Sequence, residues 1–295
     1  IVIANLVVIF TKASACGTRV SEVLELAPTV TDPGGEPVSI QAKEDTPKVS
    51  FQNVSFSYGG AQENALEQIE LHVRRGETVG VIGGTGSGKS TLVNLIPRFY
   101  DATAGQVMVD GVPVTDYPFS QLRGQIGVVP QQAVLFAGTL RENMQWRKRD
   151  ASDEEISRAL EIAQAAEFVS KLPEGLDTMI QQGGRNLSGG QRQRLTIARA
   201  LVPKPKILIL DDSASALDFA TDAALRKAIK EETHGMTVFI VSQRAASVQR
   251  ADHILVLDDG KLVGDAPHAE LLRSCEVYKE ICLSQLSKEE VAKTL

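Results

Sequence analysis

Hydrophobic and polar residues alternate differently along three stretches of this chain. Residues 1–10 are apolar at nine of ten positions, and Val20, Val23 and Leu24 continue a helical spacing until Pro28, which should end the helix. Residues 31–47 carry three prolines and two adjacent glycines, a composition typical of a linker. We therefore predict a helix over 1–27, a linker over 28–47, a folded domain over 48–283 and a polar, fraying tail over 284–295.

The N-terminal apolar run has two interpretations. Its ten residues are about half of the roughly 20 that a membrane-spanning helix needs. No basic region precedes the run, which argues against a secretory signal. The segment is therefore either the cut end of a transmembrane helix or an amphipathic helix packed on the main domain. The chain starts at Ile1 and not at Met, which favours the cut end.

A phosphate-binding loop is the strongest local signal in the folded domain. The apolar segment Thr78–Ile82 predicts a strand, and the sequence GGTGSGKS follows it before a helical pattern. This order fits G-x-x-x-x-G-K-[ST], in which glycines let backbone N–H groups surround phosphate oxygens. A lysine there reaches the β- and γ-phosphates, and the next hydroxyl ligates Mg²⁺. The predicted ATP-binding residues here are Gly83, Gly84, Thr85, Gly86, Ser87, Gly88, Lys89, Ser90 and Thr91.

A second apolar strand carries carboxylates. Lys206–Leu210 is a continuous apolar run after its first residue, as expected for a strand buried on both faces, and Asp211 and Asp212 follow it. Ligands bind at the carboxyl ends of such strands. Asp211 is therefore predicted to hold Mg²⁺ together with Ser90. A simple turn is the alternative, which the preceding phosphate loop disfavours.

Composition adds few constraints. The chain has 295 residues, 43% of them hydrophobic and 23% charged, which is ordinary for a globular protein. Its net charge of −6 argues against nucleic-acid binding through a broad basic field. The three cysteines fit neither a zinc site nor a disulfide framework, so a reducing compartment is expected.

Between the phosphate loop and the strand that ends in Asp211 lies LSGGQ: Leu187, Ser188, Gly189, Gly190 and Gln191. Alone, it could be a helix cap, because Ser188 can accept N–H bonds at the start of a helix. In order with the other motifs, it resembles the signature of ABC-type ATPases over about residues 48–283. The resemblance implies an α/β fold, with a RecA-like P-loop NTPase core, an antiparallel β subdomain and an α-helical signature subdomain. Residues 152–172, which open with a capping box formed by Ser152 and Glu155, are predicted to be helical throughout.

The resemblance also assigns roles. Tyr58 looks like the aromatic that stacks on adenine, and Gln131 resembles the Q-loop glutamine that contacts Mg²⁺ and the attacking water. Ser215, Ala216, Leu217 and Asp218 resemble the D-loop. In such proteins two domains face each other head to tail, and the LSGGQ of one completes the ATP site of the other. The implied partners are a second ABC ATPase domain and transmembrane domains, at the cytoplasmic face of the cell membrane.

Segments 98–111 and 135–144 resemble exporter ATPases, but three positions depart from the family. Asp212 occupies the position where the family usually has a catalytic Glu. Gln243 follows the predicted strand 237–241 and occupies the position where a switch His is usual. Gln182 occupies a position where exporters commonly have Glu. By this resemblance, Asp212 and Gln243 belong to the chain's own ATP site, whereas the intact LSGGQ belongs to the ATP site of the partner domain. This resembles the slow-site subunit of a heterodimeric exporter. The alternatives are an active homodimeric exporter, a non-catalytic nucleotide-binding regulatory module and, more distantly, a soluble ATPase of nucleic-acid repair.

Overall fold

The computed structural model describes residues 2–40, 43–61, 63–213, 215–233 and 235–285. Two compact units divide at Asp32 and Pro33, inside the predicted linker. The last ten residues of the predicted tail, 286–295, and Ile1 of the apolar run lie outside the described residues.

The first unit contains one helix, α1 (Val2–Glu25), and none of its residues is buried. It ends three residues before Pro28. The helix is 24 residues long and apolar enough to cross a membrane by length and composition alone. The helix is longer than the ten-residue apolar run, because small residues such as Ala13, Ala15 and Gly17 extend the low-charge segment beyond Phe10.

The second unit contains both strands and helices. The strands are β1 Val49–Phe56, β2 Leu66–Val73, β3 Thr78–Gly83, β4 Ala104–Val109, β5 Val112–Pro113, β6 Ile126–Val129, β7 Gly138–Thr139, β8 Met179–Ile180, β9 Ile207–Asp211, β10 Thr237–Val241, β11 His253–Asp258 and β12 Lys261–Ala266. The helices are α2 Lys89–Leu95, α3 Phe119–Gly124, α4 Leu140–Met144, α5 Asp153–Ile162, α6 Ala166–Ser170, α7 Gly189–Leu201, α8 Phe219–Glu232, α9 Ala245–Val248, α10 His268–Ser274 and α11 Glu276–Gln285. Short 3₁₀ turns cover Gly175–Asp177 and Gln182–Gly184.

A six-stranded sheet forms the centre of this unit, in the order β12-β11-β3-β10-β9-β6. The strands from β11 to β6 pair in parallel, and β12 is antiparallel at one edge. Alternate residues of β9 enter two different apolar clusters, Ile207 and Ile209 on one face and Leu208 and Leu210 on the other. This explains its continuous apolar sequence and confirms the prediction of a strand buried on both faces.

An antiparallel sheet, β2-β1-β4-β5, shares one of these clusters. The other cluster extends into the helical segments α4 to α6 and into α7. The predicted architecture, an α/β P-loop core with an antiparallel β part and an α-helical part, is thereby confirmed.

Part of the predicted linker is attached to the second unit. The backbone N–H of Val38 donates to Gln121 Oε1 at 2.7 Å, and Gln121 Nε2 donates to the carbonyl of Val38 at 2.8 Å. Val38 and Ile40 also pack against the apolar cluster beside the antiparallel sheet. The composition of residues 28–47 indicated a linker, but it could not reveal this two-point attachment.

The prediction of a continuous helix over 152–172 is wrong. Its start is as expected, because Ser152 and Glu155 form a capping box, but α5 ends at Ile162. Gln164 then adopts a left-handed conformation with φ 57°, and the N–H of Ala165 donates to the carbonyl of Leu160 at 2.7 Å. This is a Schellman-type ending without the usual glycine, so no residue type marks it in the sequence.

Candidate nucleotide site

The phosphate loop connects β3 to α2, as predicted. Gly88 precedes α2 in a left-handed conformation with φ 96°, where a Cβ would lie 2.6 Å from the carbonyl oxygen of Ala65. At Gly83 a Cβ would lie 2.1 Å from the carbonyl oxygen of Leu257. Both positions therefore require glycine because the backbone approaches other segments closely. The result is a tight loop whose N–H groups precede a helix N-terminus, an arrangement suited to phosphate.

Lys89 lies inside this loop. Its Nζ donates to the carbonyl of Gly83 at 2.9 Å and to the carbonyl of Gly84, and Ser87 Oγ is 3.4 Å away. Burial lowers the pKa of Lys89, while the charges of Asp212 and Asp211 act in the opposite direction. The lysine is thus a cation held by the loop backbone beside two carboxylates.

Ser90 and Asp211 provide two oxygen ligands side by side. Ser90 Oγ donates to Asp211 Oδ1 at 2.9 Å. Burial raises the pKa of Asp211, and the bond from Ser90 opposes that shift. A hydroxyl and a carboxylate at this spacing fit Mg²⁺, which prefers oxygen ligands and binds phosphates at the same time. A bound Mg²⁺ would supply positive charge to the phosphate oxygens.

Asp212 adopts φ 44°, a left-handed conformation that Asp tolerates better than most residues. Gln131 Nε2 donates to Asp212 Oδ2 at 3.2 Å. Burial raises the pKa of Asp212, and the charges of Arg244 and Lys89 and the bond from Gln131 oppose that shift. The structure therefore links the predicted Q-loop glutamine directly to the predicted catalytic carboxylate.

Tyr58 follows β1 and is 41% exposed. Its ring packs edge-on against Phe56 and Tyr100, with centroids 4.8 and 5.3 Å away, and its hydroxyl lies 2.9 Å from Thr91 Oγ1. These contacts fix one edge of the ring while leaving part of it accessible. An exposed, fixed aromatic ring beside a phosphate loop can stack on a nucleobase.

These side chains share one cleft of about 380 Å³. The predicted residues that line it are Tyr58, Thr85, Gly86, Gly88, Lys89, Ser90, Thr91, Gln131, Asp211, Asp212 and Gln243. Ala65 and Val241 also line it and were not predicted, because apolar wall residues carry no motif. Among the described residues, Gly83, Gly84 and Ser87 support the loop without lining the cleft.

The LSGGQ segment does not line this cleft. Ser188 caps α7, where its Oγ accepts from the N–H of Gln191 at 3.3 Å and Gln191 Oε1 accepts from the N–H of Ser188 at 2.9 Å. Leu187 is buried, whereas Ser188 and Gly189 are exposed. The helix-cap geometry predicted for Ser188 is present, and its N-terminal end is open to another molecule.

The predicted D-loop segment begins three positions after Asp212. Ser215 Oγ donates to the carbonyl of Asp212 at 2.9 Å, and Asp218 caps α8 by accepting from the N–H of Thr221. Leu217 is buried, while Ser215 and Ala216 are exposed. The D-loop therefore lies beside the cleft without lining it.

Arg244 is a charged neighbour of this site that the motifs did not reveal. Its Nη2 lies 3.4 Å from the carbonyl oxygen of Ser215, and its charge lowers the pKa of Asp212 against the effect of burial. In the sequence, its position directly after Gln243 is the feature that could have indicated a place near the site. Arg244 connects the segment after β10 with the D-loop.

Comparison with known proteins agrees with this geometry. A family model described as "ABC transporter" matches residues 66–215. The chain is 45% identical over 284 residues to the Bacillus subtilis protein "Uncharacterized ABC transporter ATP-binding protein YfiB", covering 96% of this chain and 48% of that protein. It is 41% identical over 278 residues to "Probable multidrug resistance ABC transporter ATP-binding/permease protein YheI" of Bacillus subtilis, covering 94% and 47%.

A solved structure is also similar. "Structure of a bacterial Atm1-family ABC exporter with ATP bound" superposes with a TM-score of 0.84 at 33% identity, covering 90% of this chain and 46% of the other. The chain thus spans about half the length of the relatives it matches. The phosphate loop, the Asp-bearing strand, the LSGGQ cap and these likenesses together show that the chain belongs to the ABC transporter family and carries its ATP-binding domain.

Proposed function

We propose that this chain is the ATPase part of an exporter and that it acts at the cytoplasmic face of the cell membrane, paired with a second ATPase domain. The named relatives support export, since one is described as a probable multidrug resistance protein and the similar structure is an exporter. The helix α1 is consistent with attachment to transmembrane domains, because its length and composition allow it to cross a membrane.

We further propose that the chain's own ATP site hydrolyses slowly, while its LSGGQ completes a faster site on a different partner chain. The observation that carries this proposal is that Asp212 and Gln243 line the same cleft. Both departures from the family pattern therefore affect one site. The signature residues, which would serve the partner's site, keep the family sequence and lie outside that cleft.

The reach of Asp212 supports slow hydrolysis. Burial raises its pKa, which makes the carboxylate a stronger base than an ordinary Asp. Its side chain is nevertheless one methylene shorter than Glu, and a general base must come within about 2.6–3.2 Å of the proton it removes. Displacements of about 1 Å can cost on the order of 10²-fold in rate. Distance, more than base strength, limits this carboxylate.

The amide of Gln243 supports the same conclusion. It can hydrogen-bond a γ-phosphate, but unlike an imidazolium it carries no positive charge. The adjacent Arg244 carries a charge, but its guanidinium extends to the D-loop carbonyl of Ser215 and does not line the cleft. The cleft therefore has Lys89 as its cation among the described lining residues.

The experiment compares steady-state ATP turnover of the chain with that of Asp212→Glu/Gln243→His. We expect slow turnover in the first and a rise on the order of 10²-fold in the second, because the carboxylate gains one methylene and the switch position gains an imidazole that can carry a positive charge. A matched control is Asp150→Glu/Gln106→His, the same exchanges at two exposed positions outside the cleft.

Turnover of the unmodified chain alone at the usual rate of roughly 1–10³ s⁻¹ would show that Asp and Gln suffice, as a homodimeric exporter requires. Absence of turnover in every assembly with the partner would instead favour a nucleotide-binding regulatory module. Tight ATP binding, slow turnover alone and fast turnover with a partner are the results that the proposal requires.

A further inference from the structure

Gln285 bonds to the backbone on both sides of Arg244. Its Nε2 donates to the carbonyl of Gln243 at 2.8 Å, and its Oε1 accepts from the N–H of Ala245 at 2.9 Å. One side-chain amide thus makes two hydrogen bonds to the backbone of residues 243 and 245, which lie 42 and 40 positions earlier in the chain. We name residues 242–248 the switch segment.

The position of Gln285 follows from how α11 packs. Tyr278 and Cys282 are fully buried on this helix, and Gln285 follows them at the i, i+4, i+7 spacing of one helical face. Tyr278 is itself held, because its hydroxyl lies 2.7 Å from His268 Nδ1. The face that anchors α11 therefore directs Gln285 towards the switch segment.

The N–H of Ala245 needs an external partner because it belongs to the first residue of α9. The N-cap residue Arg244 makes no side-chain capping bond, and Gln285 supplies the acceptor instead. On the other side of the segment, Arg226 of α8 donates to the carbonyls of Ala246 at 2.8 Å and Ser247 at 2.6 Å. Two helices thus hold the segment that carries Gln243.

We propose that Gln285 is a positioning residue for ATP hydrolysis: it fixes the backbone of Gln243, so that the conformation of α11 controls where the Gln243 side chain lies in the cleft. The inference rests on the proposed function of this cleft. Gln285 does not itself line the cleft, and the bond that connects it to a lining residue goes to the backbone carbonyl of Gln243. Its effect on the cleft therefore passes through the backbone of residues 243–245.

The first readout does not depend on activity. Hydrogen exchange is measured on a peptide covering 242–249 in the full chain, in Gln285→Met, which keeps length without polar groups, and in Gln285→Glu, which keeps the acceptor. We expect exchange at Ala245 to rise roughly fivefold in Gln285→Met, because the N–H of Ala245 loses its hydrogen-bond acceptor. The rise should be smaller in Gln285→Glu, which keeps the acceptor. Ser284→Ala is the matched control, since within the described part of the chain that hydroxyl donates to the carbonyl of Ile281 in α11. Since Gln285 is exposed, its replacement opens no cavity and leaves the fold intact.

The second readout is the kinetic split. In Gln285→Met we expect kcat to fall roughly two- to fivefold while KM for ATP stays unchanged, because the phosphate loop and Tyr58 are untouched. The same fall is expected in the Asp212→Glu/Gln243→His background, because Gln285 bonds to the backbone of position 243 and not to its side chain.

Equal exchange at Ala245 in the chain and in Gln285→Met would overturn the proposed contact. Raised exchange with unchanged kcat in both backgrounds would overturn the positioning role. If no variant hydrolyses ATP, the proposed function fails, and the exchange readout still decides whether Gln285 holds the switch segment.

Discussion

Ser90 and Asp211 lie 121 positions apart in the sequence, yet Ser90 Oγ donates to Asp211 Oδ1 at 2.9 Å. The pairing follows from the sheet order, in which β3 and β9 flank β10 and run parallel to it. The helix that begins after β3 and the carboxylate that ends β9 therefore meet at one edge of the sheet.

This pairing predicts the effect of Ser90→Ala. Loss of the hydroxyl removes one oxygen ligand for Mg²⁺, so ATP affinity in the presence of Mg²⁺ should fall about tenfold, the scale of one interaction with a charged group. Affinity in the presence of EDTA should change little. Titration calorimetry under both conditions checks this, with Ser170→Ala as a control at an exposed serine whose hydroxyl bonds to Glu167. An equal loss with and without Mg²⁺ would argue that Ser90 contacts phosphate and not the metal ion.

Tyr58 predicts a separation of base and phosphate binding. Tyr58→Leu removes the ring that can stack on adenine, and we expect ATP affinity to fall about tenfold, since stacking of a base on an aromatic side chain contributes roughly 1–3 kcal/mol. Tyr58→Phe keeps the ring and loses only the contact with Thr91, so its affinity should stay within about threefold. Inorganic triphosphate should bind all three proteins equally. A matching loss for triphosphate would show that Tyr58 acts by supporting α2 and not by stacking.

Asp212 predicts a change of stability with pH. Because burial raises its pKa in the folded chain, the folded state binds this proton more tightly than the unfolded state does. Ionised Asp212 therefore lowers stability at neutral pH, and the penalty disappears as the pH falls through the raised pKa. Asp212→Asn should raise the melting temperature at neutral pH by about 1–2 °C, and the gain should shrink in acid.

The measurement is thermal unfolding of the chain without nucleotide between about pH 4 and 8, a range that begins near the ordinary pKa of Asp and extends well above it. Asp150→Asn, at an exposed position, is the matched control. A lower melting temperature for Asp212→Asn at neutral pH would mean that the attraction of Arg244 and Lys89 outweighs burial.

Local motifs explain why so much of the cleft could be predicted. The phosphate loop is one continuous segment, and the strand that ends in Asp211 has a simple apolar pattern, so β3, β9 and β10 were predicted within one residue of their observed bounds. Parallel pairing of these strands then brings Lys89, Asp211 and Gln243 to one edge. The chemical roles of these residues remain predictions that the variants above can check.

Features that depend on distant contacts could not be predicted in this way. The end of α5 uses Gln164 in a left-handed conformation, and Arg194 from α7 donates to the Gln164 carbonyl at 2.6 Å. The contact of Gln285 with the switch segment likewise joins two regions 40 to 42 residues apart. No propensity or spacing marks such pairs, because each is a product of the tertiary fold.

Ser188 predicts an effect on another chain's site. Its capped helix end is exposed and does not line the chain's own cleft, so Ser188→Ala should leave ATP affinity of the isolated chain unchanged, whereas Lys89→Ala should lower it. In an assembly with the proposed partner, Ser188→Ala should lower turnover on the order of 10²-fold, because donors aimed at developing charge contribute on that scale.

Mixing the two variants of this chain tests whether it pairs with itself. A head-to-tail pair of Lys89→Ala with Ser188→Ala contains one composite site that has both native residues, so an active homodimer would regain up to half of its turnover on mixing. If the chain's own site is slow, we expect mixing to restore no turnover. In the assembly with the partner, Ser188→Ala should still lower turnover, and Lys89→Ala should still lower ATP affinity. Recovery on mixing would show that Asp212 and Gln243 support turnover in a self-paired assembly, and the proposal of an unlike partner would have to be abandoned.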